Sequence, residues 1–267
     1  MISTMVAARV SPSRVGAVMN RNVGALRSGP SYWLVLLSGF FEPVLYLLSI
    51  GIGVGALVGD LTLPSGRVVE YAVFVAPAML AVSAMSGALS ETTFNFFFKM
   101  KYSKTFDAIL ATPVKPFEIA LGELAWAMVR SSVYTIAFLM VMVALGLTSP
   151  GWALAALPAT LLVGLAFGGV GMAISTLMRG WQDFDMLTTG QFALFLFSGT
   201  FSPVQDYPVA MEIVVWLTPL YHAVELVRGL AIGELSWGLL GNAAYLLAMM
   251  GLGLTFAARR IQRTLCV

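Results

Sequence analysis

Long apolar runs separated by short polar segments dominate the sequence. A helix needs about 20 mostly apolar residues to cross the hydrocarbon core of a bilayer. Six runs reach that length. Residues 32–58 carry Glu42 as their single charge, residues 71–98 carry Glu91, and residues 124–147 carry Arg130. Residues 152–178, 186–204 and 235–258 carry none. The apolar stretch 213–224 is too short to cross and reads as re-entrant or interfacial.

These runs predict helices. An open sheet leaves edge N–H and C=O groups unsatisfied in lipid. Barrel strands alternate apolar and polar positions over about 10 residues, whereas these runs are continuous. The expected fold class is therefore all-α integral membrane, with six transmembrane helices.

Ahead of the first run, Ser11-Pro12 reads as a helix cap followed by a first-turn proline. Val15, Val18, Met19, Val23 and Leu26 share one helical face, and Gly29-Pro30 ends the segment. That pattern predicts an amphipathic helix in the membrane interface. The alternative is a basic leader without fixed structure. The first residues lack a short apolar core followed by a small-residue cleavage site, so no cleavable signal is expected. Two parts follow: residues 1–30 as the amphipathic segment and 31–267 as the membrane domain.

Charge fixes the expected orientation. With six spans, one side holds twelve lysines and arginines, among them Arg14, Arg21, Lys99, Lys104, Lys115, Arg179 and Arg260, and the other holds Arg67 and Arg228. Lys/Arg-rich loops stay in the cytoplasm, so both termini are expected there.

Composition narrows the chemistry. Only 10% of the 267 residues are charged and 59% are hydrophobic, against roughly 25% charged in soluble domains. The one cysteine and one histidine exclude an intrachain disulfide and a paired-histidine zinc site. No lysine follows a glycine, so a Walker A phosphate loop is absent and the chain alone is expected not to hydrolyse ATP. No Gly-x-Ser-Gly occurs, which argues against a rhomboid-like protease.

The loop after the second run offers Ser103 or Thr105 as a helix cap and Pro113 as a stop. Phe106, Ile109 and Leu110 then form one apolar face. That face either meets a partner or rests on lipid or the bundle. Ionisable groups inside a membrane are costly and usually face the bundle interior or a water-filled path. Glu42, Glu91, Glu123 and Arg130 are the candidates here, with Glu123 and Arg130 seven apart on one helix face. They line a substrate path, latch helices, or pair as Glu–Arg to hold the bundle. Glu225 and Arg228 are spaced to pair, with His222 one turn before Glu225. Gly164, Gly168, Gly169 and Gly171 let helices approach closely. Phe94, Phe96, Phe97 and Phe98 read as an interfacial anchor.

Three stretches carry a resemblance. They are Glu91-Thr-Thr-Phe-Asn-Phe-Phe-Phe-Lys-Met-Lys, Thr105-Phe-Asp-Ala-Ile-Leu-Ala-Thr-Pro-Val and Leu121-Gly-Glu-Leu-Ala-Trp126. With Phe41-Glu-Pro-Val-Leu-Tyr and Leu217-Thr-Pro-Leu-Tyr-His-Ala-Val-Glu-Leu-Val-Arg228, in that order along the chain, they resemble the ABC-2 family of ABC exporter permeases. Within it they are similar to the nodulation lipo-oligosaccharide export branch.

The resemblance implies six spans, two separate ABC ATP-binding subunits, and a second permease copy or paralogue. ATP and Mg would sit on those partner subunits, with no cofactor on this chain and no nucleic acid partner. Coupling to the ATPase would run through the amphipathic helix and through Thr105, Phe106, Asp107, Ile109 and Leu110. A re-entrant hairpin would lie near the outer face, containing Pro203 and Pro208 and leading into Pro219, His222, Glu225 and Arg228. The expected function is ATP-driven export of an amphipathic substrate across the plasma membrane: a glycolipid, a lipo-oligosaccharide or a hydrophobic drug. The alternatives are a secondary transporter driven by an ion gradient, although the two halves show no clear repeat, and a membrane scaffold without transport.

Overall fold

Local turn chemistry sets where the helices begin. In this computed structural model, which describes residues 10–27, 41, 44–45, 47–63 and 65–265, prolines sit in the first turn behind a capping residue. Ser149 accepts a hydrogen bond from the Trp152 amide at 3.4 Å ahead of Pro150. Thr218 accepts one from the Tyr221 amide at 3.4 Å ahead of Pro219. The Glu118 carboxylate reaches back to the Lys115 amide at 2.9 Å around Pro116. Each satisfies a backbone donor that the first helical turn leaves open.

Helix α1 spans Pro12–Arg27. A π-form stretch, Leu47–Val54, runs into Gly55–Val58, and together they form α2. Most of the first half of the first expected span, residues 32–46 with Glu42, falls outside the described residues, as does the Gly29-Pro30 stop. Strands β1 (Asp60–Thr62) and β2 (Val68–Glu70) pair antiparallel, with Leu61 opposite Val69. This small hairpin departs from the all-α expectation. It is tied to the end of a distant helix by Ser65 Oγ to Glu234 at 2.6 Å and by Arg67 to the Ile232 carbonyl at 3.1 Å.

Helix α3 runs Tyr71–Lys101 and contains a π-form turn at Glu91–Asn95. The short α4 covers Thr105–Leu110. The long α5 (Pro116–Ala144) and α6 (Pro150–Ser175) follow, then α7 (Gln182–Leu196). Helices α8 (Val209–Leu217) and α9 (Pro219–Ile232) meet at a bend of 85°. Helix α10 (Gly238–Leu265) ends the described chain.

Among the described residues, four helices are long and apolar enough to cross a membrane, and up to five if the bent pair counts as one. The run expected at 186–204 is only partly helical. Its helix has 15 residues, which rise about 22 Å at about 1.5 Å each, short of a hydrocarbon core of about 30 Å. The helix stops because Gly199 takes a left-handed φ of 68° and the chain turns toward Pro203. The apolar stretch 213–224 is likewise not one helix. Pro219 cannot donate to the ladder, so the chain breaks there.

Helix α3 lies at the centre, packed on α5, α6 and α9, while α10 runs along α6 and α1 lies across α5. Lipid tails are as apolar as leucine, so packing rather than water exclusion holds such helices together. Glycines permit that packing. A Cβ at Gly168 would lie 2.7 Å from Leu124, and one at Gly171 would lie 2.2 Å from Thr92. Gly169 and Gly253 bring α6 and α10 into backbone contact, a Cβ at Gly253 lying 2.5 Å from the Gly169 carbonyl carbon. The core has two layers. One, around Phe74, Met85, Phe138, Phe167 and Leu220, lies toward the hairpin end. The other, around Phe96, Phe106, Ile119, Leu124, Met172 and Ile261, lies toward the α4 end.

Candidate coupling site and buried ion pairs

At the α4 end, α1 is clamped onto α5. Glu118, fully buried in the first turn of α5, accepts from the Ser11 amide at 2.9 Å and pairs with Arg14 at 3.6 Å. One turn on, Val18 of α1 occupies the space over Gly122, where a Cβ would stand 2.6 Å from the Val18 Cβ. Farther along, buried Asn22 accepts from Lys99 of α3 at 3.0 Å. The apolar face expected for α1 therefore rests on the bundle at Val18, with Val15, Met19, Val23 and Leu26 half-buried around it.

Helix α4 packs beside α1. Phe106 is fully buried, its ring 4.8 Å from that of Phe96. Ile109 and Leu110 pack against the same layer. Of the two options open for this apolar face, the structure shows it resting on the bundle. The surface left outside comprises Lys104, Asp107, Ala108 and Ala111, with Thr105 half-buried. Among the described residues Lys104 is the one non-glycine with positive φ, at 47°. A left-handed residue costs about 1–2 kcal/mol, and here it turns the chain sharply into α4.

Between α1 and α4 opens a cavity of about 430 Å³. Its floor and walls include Ala17, Val18, Ala108 and Ile109, and Arg21, Lys104, Ser103 and Thr105 supply its polar groups. It has two cations and no acid in its lining. Arg21 donates to Thr105 Oγ1 at 3.3 Å across the gap, and Ser103 and Thr105 share a hydrogen bond at 2.9 Å.

The described members of the intramembrane set, Glu91, Glu123 and Arg130, fall into two pairs between α3 and α5. Arg130 pairs with Glu91 and donates to the Tyr134 hydroxyl at 2.8 Å. Glu123 accepts from Lys99 at 2.6 Å. Glu123 and Arg130 share a face, and each is answered from the neighbouring helix. Glu91 and Arg130 thus form a Glu–Arg pair between the two helices.

A third pair lies on α9. Buried Arg228 meets Glu225 at 2.8 Å, donates to the carbonyls of Gly199 at 2.8 Å and Phe74 at 3.2 Å, and lies 3.8 Å above the Phe74 ring. His222 shares a hydrogen bond with Asn242 of α10 at 2.8 Å and stacks on Tyr245 at 4.1 Å. Pro203 precedes a short 3₁₀ turn at Val204–Asp206, Pro208 precedes α8, and Pro219 opens α9. These residues join helices; they do not meet the α1–α4 cavity.

Three residues escape the sequence reading: Asn22, Glu118 and the packing role of Gly122. Glu118 was within reach, since an acid three residues after a capping position is a helix-start signal. Asn22 is an isolated polar residue on a mostly apolar face, which periodicity alone passes over.

The comparisons agree with the architecture. The family model described as ABC-2 type transporter matches residues 15–232. Nodulation protein J of Rhizobium leguminosarum bv. trifolii is 35% identical over 200 residues, covering 74% of each chain. Nodulation protein J of Rhizobium meliloti is 34% identical over 200 residues, again 74% of each. The probable multidrug ABC transporter permease YbhR of Escherichia coli is 23% identical over 186 residues, 66% of this chain and 48% of that one. A multi-pass helical chain with this match over most of its length belongs to the ABC-2 type transporter family, in the branch of the nodulation protein J permeases.

Proposed function

We propose that the chain is the membrane subunit of an ATP-driven exporter whose cytoplasmic docking surface is the cavity between α1 and α4. The observation that carries this reading is the two-cation, acid-free lining of that cavity, with Arg21 and Lys104 beside apolar walls. Such a surface suits an acidic, partly apolar element of an ABC ATP-binding subunit. Two such subunits would bind MgATP, and a second copy of this chain or a paralogue would complete the pathway. Both termini would be cytoplasmic in the plasma membrane, in keeping with the excess of Lys and Arg on that side. The cargo would be amphipathic, as the resemblance to the nodulation export branch implies: a lipo-oligosaccharide, a glycolipid or, by analogy with the relative named as a probable multidrug permease, a hydrophobic drug.

An ion-gradient mechanism has less support. It needs a carboxylate free to exchange ions, and among the described residues the candidates Glu91 and Glu123 are each paired with a cation from the neighbouring helix.

The test is co-purification with the ATP-binding subunit. Arg21→Glu with Lys104→Glu should abolish retention of the ATPase while leaving insertion intact. Retention at the level of the unaltered chain would move the docking surface elsewhere.

A further inference from the structure

The coupling cavity is wired to the membrane helices by a chain of polar contacts. Thr105 of α4 accepts from Arg21 of α1 at 3.3 Å. Arg21 also donates to the Asn22 side-chain oxygen, Oδ1, at 3.4 Å. That same oxygen accepts from Lys99 of α3 at 3.0 Å, and Lys99 donates onward to Glu123 of α5 at 2.6 Å. Four helices thus meet through five side chains, and Lys99 is the junction.

Two atoms of this chain are unfilled. Asn22 Nδ2, a donor, and Glu123 Oε1, an acceptor, are buried without a hydrogen-bond partner. Both residues are 4% exposed. A buried polar group without a partner costs free energy, so Asn22 and Glu123 each depend on their bond to Lys99 to offset burial. The Asn22 amide and the Glu123 carboxylate flank the same ammonium group. Contiguous hydrogen-bond and ion-pair networks can carry coupling between distant sites.

We infer that Lys99 is the positioning residue that transmits a shift of α1 to α3 and α5, by holding Asn22 of α1 and Glu123 of α5 on one ammonium group. The inference rests on the reading of the chain as an ATP-driven permease. It places the transmission in α1 and Lys99, while the docking surface itself lies in the cavity walls. Lys99 does not line that cavity. Loss of its function should therefore separate hydrolysis from transport and leave docking in place.

The experiment measures transport per ATP hydrolysed in proteoliposomes of the permease with its ATP-binding subunit. Two variants act at different points. Asn22→Ala cuts only the arm to α1 and leaves the Lys99–Glu123 pair. Lys99→Met with Glu123→Gln removes the junction without leaving a buried carboxylate unpaired. Both should retain ATPase binding and hydrolysis, with transport per ATP falling about threefold or more. Lys99→Arg should preserve the ratio. An unchanged ratio in Asn22→Ala overturns the inference even if the double variant fails to accumulate. A proportional fall in hydrolysis and transport also overturns it, since that is what simple loss of folded protein produces. If the unaltered chain neither binds nor stimulates an ATP-binding subunit, the permease reading falls and takes this inference with it.

Discussion

Val18 of α1 sits on Gly122 of α5 with no room for a methyl group between them, since a Cβ at 122 would lie 2.6 Å from the Val18 Cβ and 3.0 Å from the Val15 carbonyl oxygen. Gly122→Ala therefore overpacks the contact, at a cost of about 1–3 kcal/mol. It should lift α1 and raise the reactivity of a cysteine placed at Asn22. Val18→Ala in the same chain should recover part of the loss. Equal cysteine reactivity with and without Gly122→Ala would show that α1 does not depend on this contact.

Glu91 and Arg130 join α3 to α5 with side chains that are 5% and 17% exposed. Removing one member of a buried pair leaves the other charge unanswered and costs about 3–5 kcal/mol. Arg130→Met should lower the thermal midpoint in detergent markedly, and Arg130→Met with Glu91→Gln should lower it much less. Additive losses in the double variant would show that the two charges do not depend on each other.

Phe106 is fully buried against Phe96, so its truncation acts first on the protein's own packing. Phe106→Ala should cost about 3–5 kcal/mol and make α4 a preferred site of proteolysis. Asp107→Ala, on the exposed side of the same helix, should leave stability unchanged and retain the ATPase at least as well, since it removes an acid beside a cationic surface. If Phe106→Ala is as stable as the unaltered chain, α4 does not hold its packed position in the membrane.

Orientation is tested at Ser65 and Ser103, both exposed and at opposite ends of α3. With Cys266 replaced by serine, a cysteine at Ser65 should react with an impermeant reagent on intact cells, and a cysteine at Ser103 should not. The reverse pattern would invert the topology.

Much of this arrangement was legible because membrane helices announce themselves by length. The helices at 71–101, 116–144, 150–175 and 238–265 correspond to apolar runs with few or no charges. The start of α1 was legible in Ser11-Pro12, and the Glu225–Arg228 pair in its spacing. What stayed hidden depends on contacts between helices. The direction in which Phe106 points is decided by Phe96 and Ile119, which periodicity within α4 cannot see. Glu123 and Arg130 share a face, but which cation or acid answers each depends on how α3 lies against α5. The break within 186–204 was masked by residues 195–204 being almost as apolar as the helix before them, so composition continued where the backbone turned.

The Gly169–Gly253 contact has a mechanical consequence. Where α6 and α10 touch backbone to backbone, no side chain stands between them that could change rotamer and let one helix slide past the other. The two must travel as a rigid body, and any rearrangement that opens a path through the bundle has to be taken up at other seams. Among the described residues the most open surfaces border α7 and α8, where Met186, Phe192, Val209 and Leu217 are exposed. On the reading of the chain as a transporter, these two glycines would steer any stroke away from the α6–α10 seam.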